Sequence, residues 1–78
     1  MQTETFHEIN VTNLKEERLQ MIYWVIMNNG WSNKIDELEM LLDDSGNILV
    51  RGWATKSNWS KFYNTVIASS MLDYLFME

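Results

Sequence analysis

"LLDDSGNIL", residues 41 to 49, decides how this chain folds. Asp43-Asp44-Ser45-Gly46 suits a type I turn, with aspartate first and Gly46 free to enter the left-handed region that closes a three-residue hairpin loop. In that register Leu42 faces Ile48, Met40 faces Val50 and Leu38 faces Gly52. Side chains two apart then form one wholly apolar face, the core side. On the other face Glu39 comes opposite Arg51, Leu41 opposite Leu49 and Glu37 opposite Trp53. A helix from Asn33 to Leu42 competes, because Ile35, Leu38, Leu41 and Leu42 also fit a helical stripe. The charge pairing was not assumed in setting the register, and it favours the hairpin.

On the N-terminal side, Asn13 followed by Glu16 resembles a capping box, and Leu14 to Asn29 is rich in helix formers before Gly30. The first half of this helix is amphipathic. From Met21 to Met27 it is apolar all round, which predicts either a central buried helix or one whose outer side, carrying Met21, Tyr23, Trp24 and Met27, meets a second copy. Phe6 to Val11 reads as a strand with His7, Ile9 and Val11 on one face. After the hairpin, Ser57 can cap a helix from Asn58 to about Leu75, with Trp59, Phe62, Val66 and Ile67 on one side and Met71, Tyr74 and Leu75 continuing it. The order β-α-β-β-α predicts one α+β domain over residues 1–78, loose at 1–4, in which a small antiparallel sheet packs against two helices.

The 78-residue chain has no Cys, so neither disulfides nor thiolate-held zinc can reinforce a domain that buries only about 60% of its unfolded surface. Its composition, 46% hydrophobic and without Pro, is that of a folded protein. No apolar run approaches the length of a membrane span, and the first residues do not read as a secretory signal, so a cytoplasmic location is expected. The net charge of −5 works against direct binding to nucleic acid. Asp36, Glu37, Glu39, Asp43 and Asp44 concentrate the acids around the hairpin.

No residue constellation names a reaction. The single histidine, His7, reads as an edge-strand surface residue and cannot be both base and orienter for a nucleophile. Asp43, Asp44, Ser45 and Asn47 lack calcium-loop spacing, and turn chemistry explains them. Glu37 and Glu39 would need a cleft to separate their pKa values. The expectation is a non-enzyme without cofactor or metal. The outer hairpin face is different: Leu41, Leu49 and Trp53, ringed by Arg51 and acids, have the apolar centre and charged rim of a protein-binding surface. The alternative is that the N-terminal segment or Trp31 covers it.

The run "EMLLDDSGNILVRGW" followed by a Ser-capped helix is similar to the hairpin and helix of the small phage-encoded uracil-DNA glycosylase inhibitors. The likeness covers about half the chain, and size and acidity resemble phage counter-defence proteins generally. It implies a non-catalytic viral inhibitor acting in the host cytoplasm as a DNA mimic, offering carboxylates and an apolar pocket to an enzyme's DNA-binding surface. By position these are Glu37, Glu39, Asp43 and Asp44, with Leu41, Leu49 and Trp53. Two function classes follow: an inhibitor or adaptor whose partner is another protein, such as a nucleic-acid enzyme, and a self-associating homodimeric accessory subunit.

Overall fold

The computed structural model describes residues 3–68. The chain runs through β1 (Thr5–Asn10), α1 (Glu16–Met27), β2 (Asp36–Leu42), β3 (Ile48–Ala54) and α2 (Lys56–Phe62), which continues as a π-helical turn at Tyr63–Ile67. The sheet order is β1-β3-β2, with both outer strands antiparallel to β3. The domain is α+β, with the expected element order.

The hairpin forms as its turn chemistry dictates. Gly46 sits at φ 85°, its N–H donates to the Asp43 carbonyl at 3.1 Å, and the Asp43 N–H donates to the Asn47 carbonyl at 2.9 Å. The register pairs Glu39 with Arg51, Met40 with Val50, Leu41 with Leu49 and Leu42 with Ile48. Beyond Glu39 it slips: Asp36, not Glu37, lies opposite Trp53. Glu37 takes φ 56°, so Glu37 and Leu38 together span Gly52 as a bulge. Gly52 permits this, since a Cβ there would lie 2.6 Å from Ile35 Cγ2.

Side chains on the helix-facing side of the sheet close the core. Val50 and Ala54 of β3 meet Ile22 and Ile26 of α1, Phe62 of α2, Val66 and Ile67 of the π turn, and Val11 and Ile35 of the connections. Each such side chain, buried rather than exposed, contributes about 1.5–3 kcal/mol for the larger aliphatics and Phe. The i→i+5 spacing of the π turn places the consecutive Val66 and Ile67 both in this core below Phe62.

Several expectations need correction. The capping box is not formed: Leu14 N–H closes a turn onto the Val11 carbonyl at 3.1 Å, which absorbs Asn13, and the helix starts after Lys15 with no side-chain cap. It ends at Met27, and Asn29 at φ 59°, not Gly30, supplies the left-handed residue. The cap of α2 is Thr55, whose Oγ1 accepts from Asn58 N–H at 3.1 Å, because the helix follows β3 after one residue and puts Ser57 inside the first turn. Leu42 is 70% exposed rather than core. Its neighbour Ile48 is covered by the chain leaving β1, through Val11 N–H to the Ile48 carbonyl and Ile48 N–H to Thr12 Oγ1, both 2.8 Å, but Leu42 lies one strand further out. His7 is half-buried on the helix side, stacked on Trp59 at 5.1 Å, rather than a surface residue. Met71, Tyr74 and Leu75 lie outside the described residues.

Candidate protein-binding face

A sheet of three strands has two faces, and the described helices pack on one. The other is built in cross-strand rows because side chains alternate along each strand. β1 adds its own residues to the rows foreseen from the hairpin: Phe6 beside Trp53 beside Asp36, Glu8 beside Arg51 beside Glu39, and Asn10 beside Leu49 beside Leu41.

The first row is aromatic. Phe6 and Trp53 meet edge to face, centroids 5.5 Å apart and planes at 62°, and remain 47% and 44% exposed. Such pairing contributes about 0.5–1.5 kcal/mol beyond burial and fixes both rings. The middle row is ionic: Arg51 Nε lies 3.0 Å from Glu39 Oε2, and an Arg51 terminal nitrogen 3.8 Å from Glu8 Oε2. These pairs are exposed, so they contribute little stability and mainly hold Arg51 in place. The third row is aliphatic, with Leu41 and Leu49 half-buried against one another. Trp31 does not cover this face. It packs edge-on against Phe62 at 5.4 Å on the helix side, while the N-terminal strand lies beside β3 rather than over it.

The expected acids have separate fates. Glu39 is engaged by Arg51, and Asp44 is exposed at the hairpin tip. Asp43 serves its own turn: Oδ1 accepts from Asn47 N–H at 2.8 Å and Ser45 N–H at 2.9 Å. The Asn47 N–H, more than any other donor, holds the Asp43 carboxyl below the ordinary aspartate value. Glu37, turned by the bulge, lines a shallow hollow with Glu4, Asp36 and Trp53. A hydrogen bond that the protonated Glu4 carboxyl donates to Asp36, then burial and like charge, push the Glu4 carboxyl above its usual range. Among the described residues, no three His, Cys, Asp or Glu side chains are placed to hold a metal ion.

Sequence reasoning missed Glu4, Phe6, Glu8 and Asp36 on this face. The available signal was the alternation of Glu4, Phe6 and Glu8 against Thr5, His7 and Ile9, which needed the β1–β3 pairing to be interpreted. The residues expected on α1 form a second exposed patch. Met21, Tyr23, Trp24 and Met27 are each half or more exposed, Trp24 at 66%, opposite the buried Ile22 and Ile26. No helix among the described residues is long and apolar enough to cross a membrane. Compared with known protein families, curated proteins and solved structures, the chain matches none.

Proposed function

We propose that the chain is a non-catalytic inhibitor or adaptor that docks on another protein through the outer face of its sheet. One observation carries this reading: Phe6 and Trp53 stand locked together and nearly half exposed on a face that the described helices leave open. Neither belongs to the buried core cluster, which closes without them. Tryptophan and arginine dominate interface energetics, and Trp53, Arg51, Leu41 and Leu49 supply anchors inside a rim of Glu8, Asp36, Glu37 and Glu39. The acidic rim favours a partner with a basic surface. Together with the resemblance to phage-encoded inhibitors, it makes a nucleic-acid enzyme the proposed target, blocked by carboxylates standing where phosphates would lie, in the host cytoplasm.

The test compares parent and Trp53→Ala as baits in host lysate, with circular dichroism of both. The variant should stay folded and bind the captured partner more than tenfold more weakly, since truncating an anchor costs about 2 kcal/mol or more and about 1.4 kcal/mol is a decade. If Trp53→Ala unfolds, the tryptophan is structural and the reading fails. A partner retained equally by both baits rejects the face.

A second reading rests on the α1 patch, whose exposed Met21, Tyr23, Trp24 and Met27 would be covered in a homodimer. Sedimentation at micromolar concentration decides it: a clean monomer, with Trp24→Asp folded and no more soluble than the parent, removes the dimer. Salt separates the two readings, because association steered by acids weakens with ionic strength whereas apolar self-association holds or tightens.

A further inference from the structure

The charges on the outer face are unequal in a way that specifies its partner. Arg51 answers Glu8 and Glu39. In the next row, at the C-terminal end of β3, Glu4, Asp36, Glu37 and Trp53 line an open hollow of about 490 Å³, and among the described residues no ion pair neutralises any of the three acids. Carboxylates standing this close repel one another, and the Glu4 carboxyl is pushed above its usual range first by its hydrogen bond to Asp36 and then by burial and the like charge of Asp36. A bound cation would relieve the same repulsion at neutral pH without a proton. Trp53 lines the hollow, and its ring meets that of Phe6 edge to face at 5.5 Å.

We infer that this hollow receives an arginine side chain presented by a basic segment of the partner protein, its guanidinium flat against Trp53 and paired with Asp36 and Glu4. The inference rests on the outer face being the docking surface and names what docks there. Arginine fits better than lysine for two reasons. Its planar fork can bond two carboxylate oxygens at once, and it stacks on an indole face while staying weakly hydrated. Cation–π attraction acts within about 6 Å of a ring centroid and is strongest for tryptophan. An anionic lipid surface or a nucleic acid would meet the carboxylates with like charge.

The test is a magnetic-resonance titration of the full chain with a capped oligo-arginine peptide, read at the Trp53 indole N–H and assigned with Trp53→Phe. Capped oligo-lysine and oligo-citrulline peptides are the comparisons. The arginine peptide should move the Trp53 signal to saturation, lysine more weakly and citrulline not at all, with the Trp24 signal unmoved. Glu4→Gln/Asp36→Asn, which removes a repulsion and so should fold, should lose about tenfold or more in affinity for the arginine peptide. Equal binding by the double variant, equal shifts with citrulline, or movement of Trp24 instead of Trp53 overturns the inference. A Trp53 shift that grows with protein concentration alone puts a second copy on the face and also overturns it. Failure here is separable from failure of the docking face. A partner captured through Trp53 but indifferent to Glu4→Gln/Asp36→Asn leaves the face and removes the arginine, whereas capture indifferent to Trp53 removes both.

Discussion

Gly52→Ala tests the packing that shapes the site. Gly52 is buried at the centre of β3, with His7 opposite on β1 and the Glu37–Leu38 bulge opposite on β2. Its φ is not in the left-handed region, so the cost of substitution is one of space and not of backbone conformation. The added methyl would sit 2.6 Å from Ile35 Cγ2, 3.2 Å from the Asp36 carbonyl oxygen and 3.3 Å from Leu38 Cα. Ordinary carbon contacts lie at about 3.5–4.0 Å, so the Ile35 contact is about an ångström too short. Ile35 is 1% exposed and cannot swing away, and the other two atoms are backbone. Overpacking of this kind costs about 1–3 kcal/mol. Replacing a strand glycine returns about 0.5–1 kcal/mol through the unfolded chain. The two ranges leave a net loss of about 0–2.5 kcal/mol, and the 2.6 Å contact with a buried side chain puts it in the upper half, about 1.3–2.5 kcal/mol, or about 5–20 °C in Tm at roughly 4–8 °C per kcal/mol for a domain this size. Urea unfolding followed by circular dichroism and tryptophan fluorescence measures it, with the m-value checked for constancy. Ile35→Leu, which lacks the β-branch methyl, should recover part of the loss when combined with Gly52→Ala. A Gly52→Ala protein as stable as the parent would show that the bulge is not set by this contact.

The remaining predictions use the same unfolding assay. Thr55→Ala should cost about 0.5–2 kcal/mol by removing the cap of α2, while Ser57→Ala, which removes no cap, should stay within about 0.5 kcal/mol. Glu37→Gly should be neutral to stabilising by about 1 kcal/mol, since a left-handed non-glycine residue is strained, and Glu37→Val should be destabilising. Asp43, whose carboxyl is depressed chiefly by the Asn47 N–H, contributes stability that is present above the unfolded value of 3.8 and is lost as pH falls through its lower folded value. Asp43→Asn should therefore lower stability at neutral pH and flatten the acid limb of the stability curve. An unchanged acid limb would separate the shift from the turn.

What was legible in the sequence is what a few adjacent residues decide. Asp43 to Gly46 sets the turn, the turn sets the register, and four cross-strand pairs from Glu39–Arg51 to Leu42–Ile48 follow without tertiary information. The register breaks at Gly52, where the chain needed room rather than a particular residue, and the left-handed position fell to a glutamate, which carries no turn signature. Both mistaken helix caps have the same origin. Asn13 and Ser57 are good caps in isolation, but the turn closing on Val11 and the single residue between β3 and α2 gave the positions to Lys15 and Thr55. The placement of β1 was not legible, because its pairing with β3 joins residues far apart in the chain, such as His7 and Gly52, and sets Ile9 beside the buried Val50.

The pairing of that strand matters most for function. With the hairpin alone, Trp53 stands beside Leu41 and Leu49 as one apolar side chain among several, and the acids group along the hairpin. With β1 in place, Trp53 gains Phe6 as a fixed neighbour and Glu4 as a second carboxylate beside Asp36, while Glu8 joins Glu39 in holding Arg51. The acidic weight of the face therefore moves from Asp43 and Asp44, one of which is consumed by its turn, to the end where the tryptophan is. An aromatic ring beside carboxylates that no base among the described residues neutralises is selective in a way that either feature alone is not: burial favours any apolar group, and charge favours any cation, but the two together favour a flat, weakly hydrated cation.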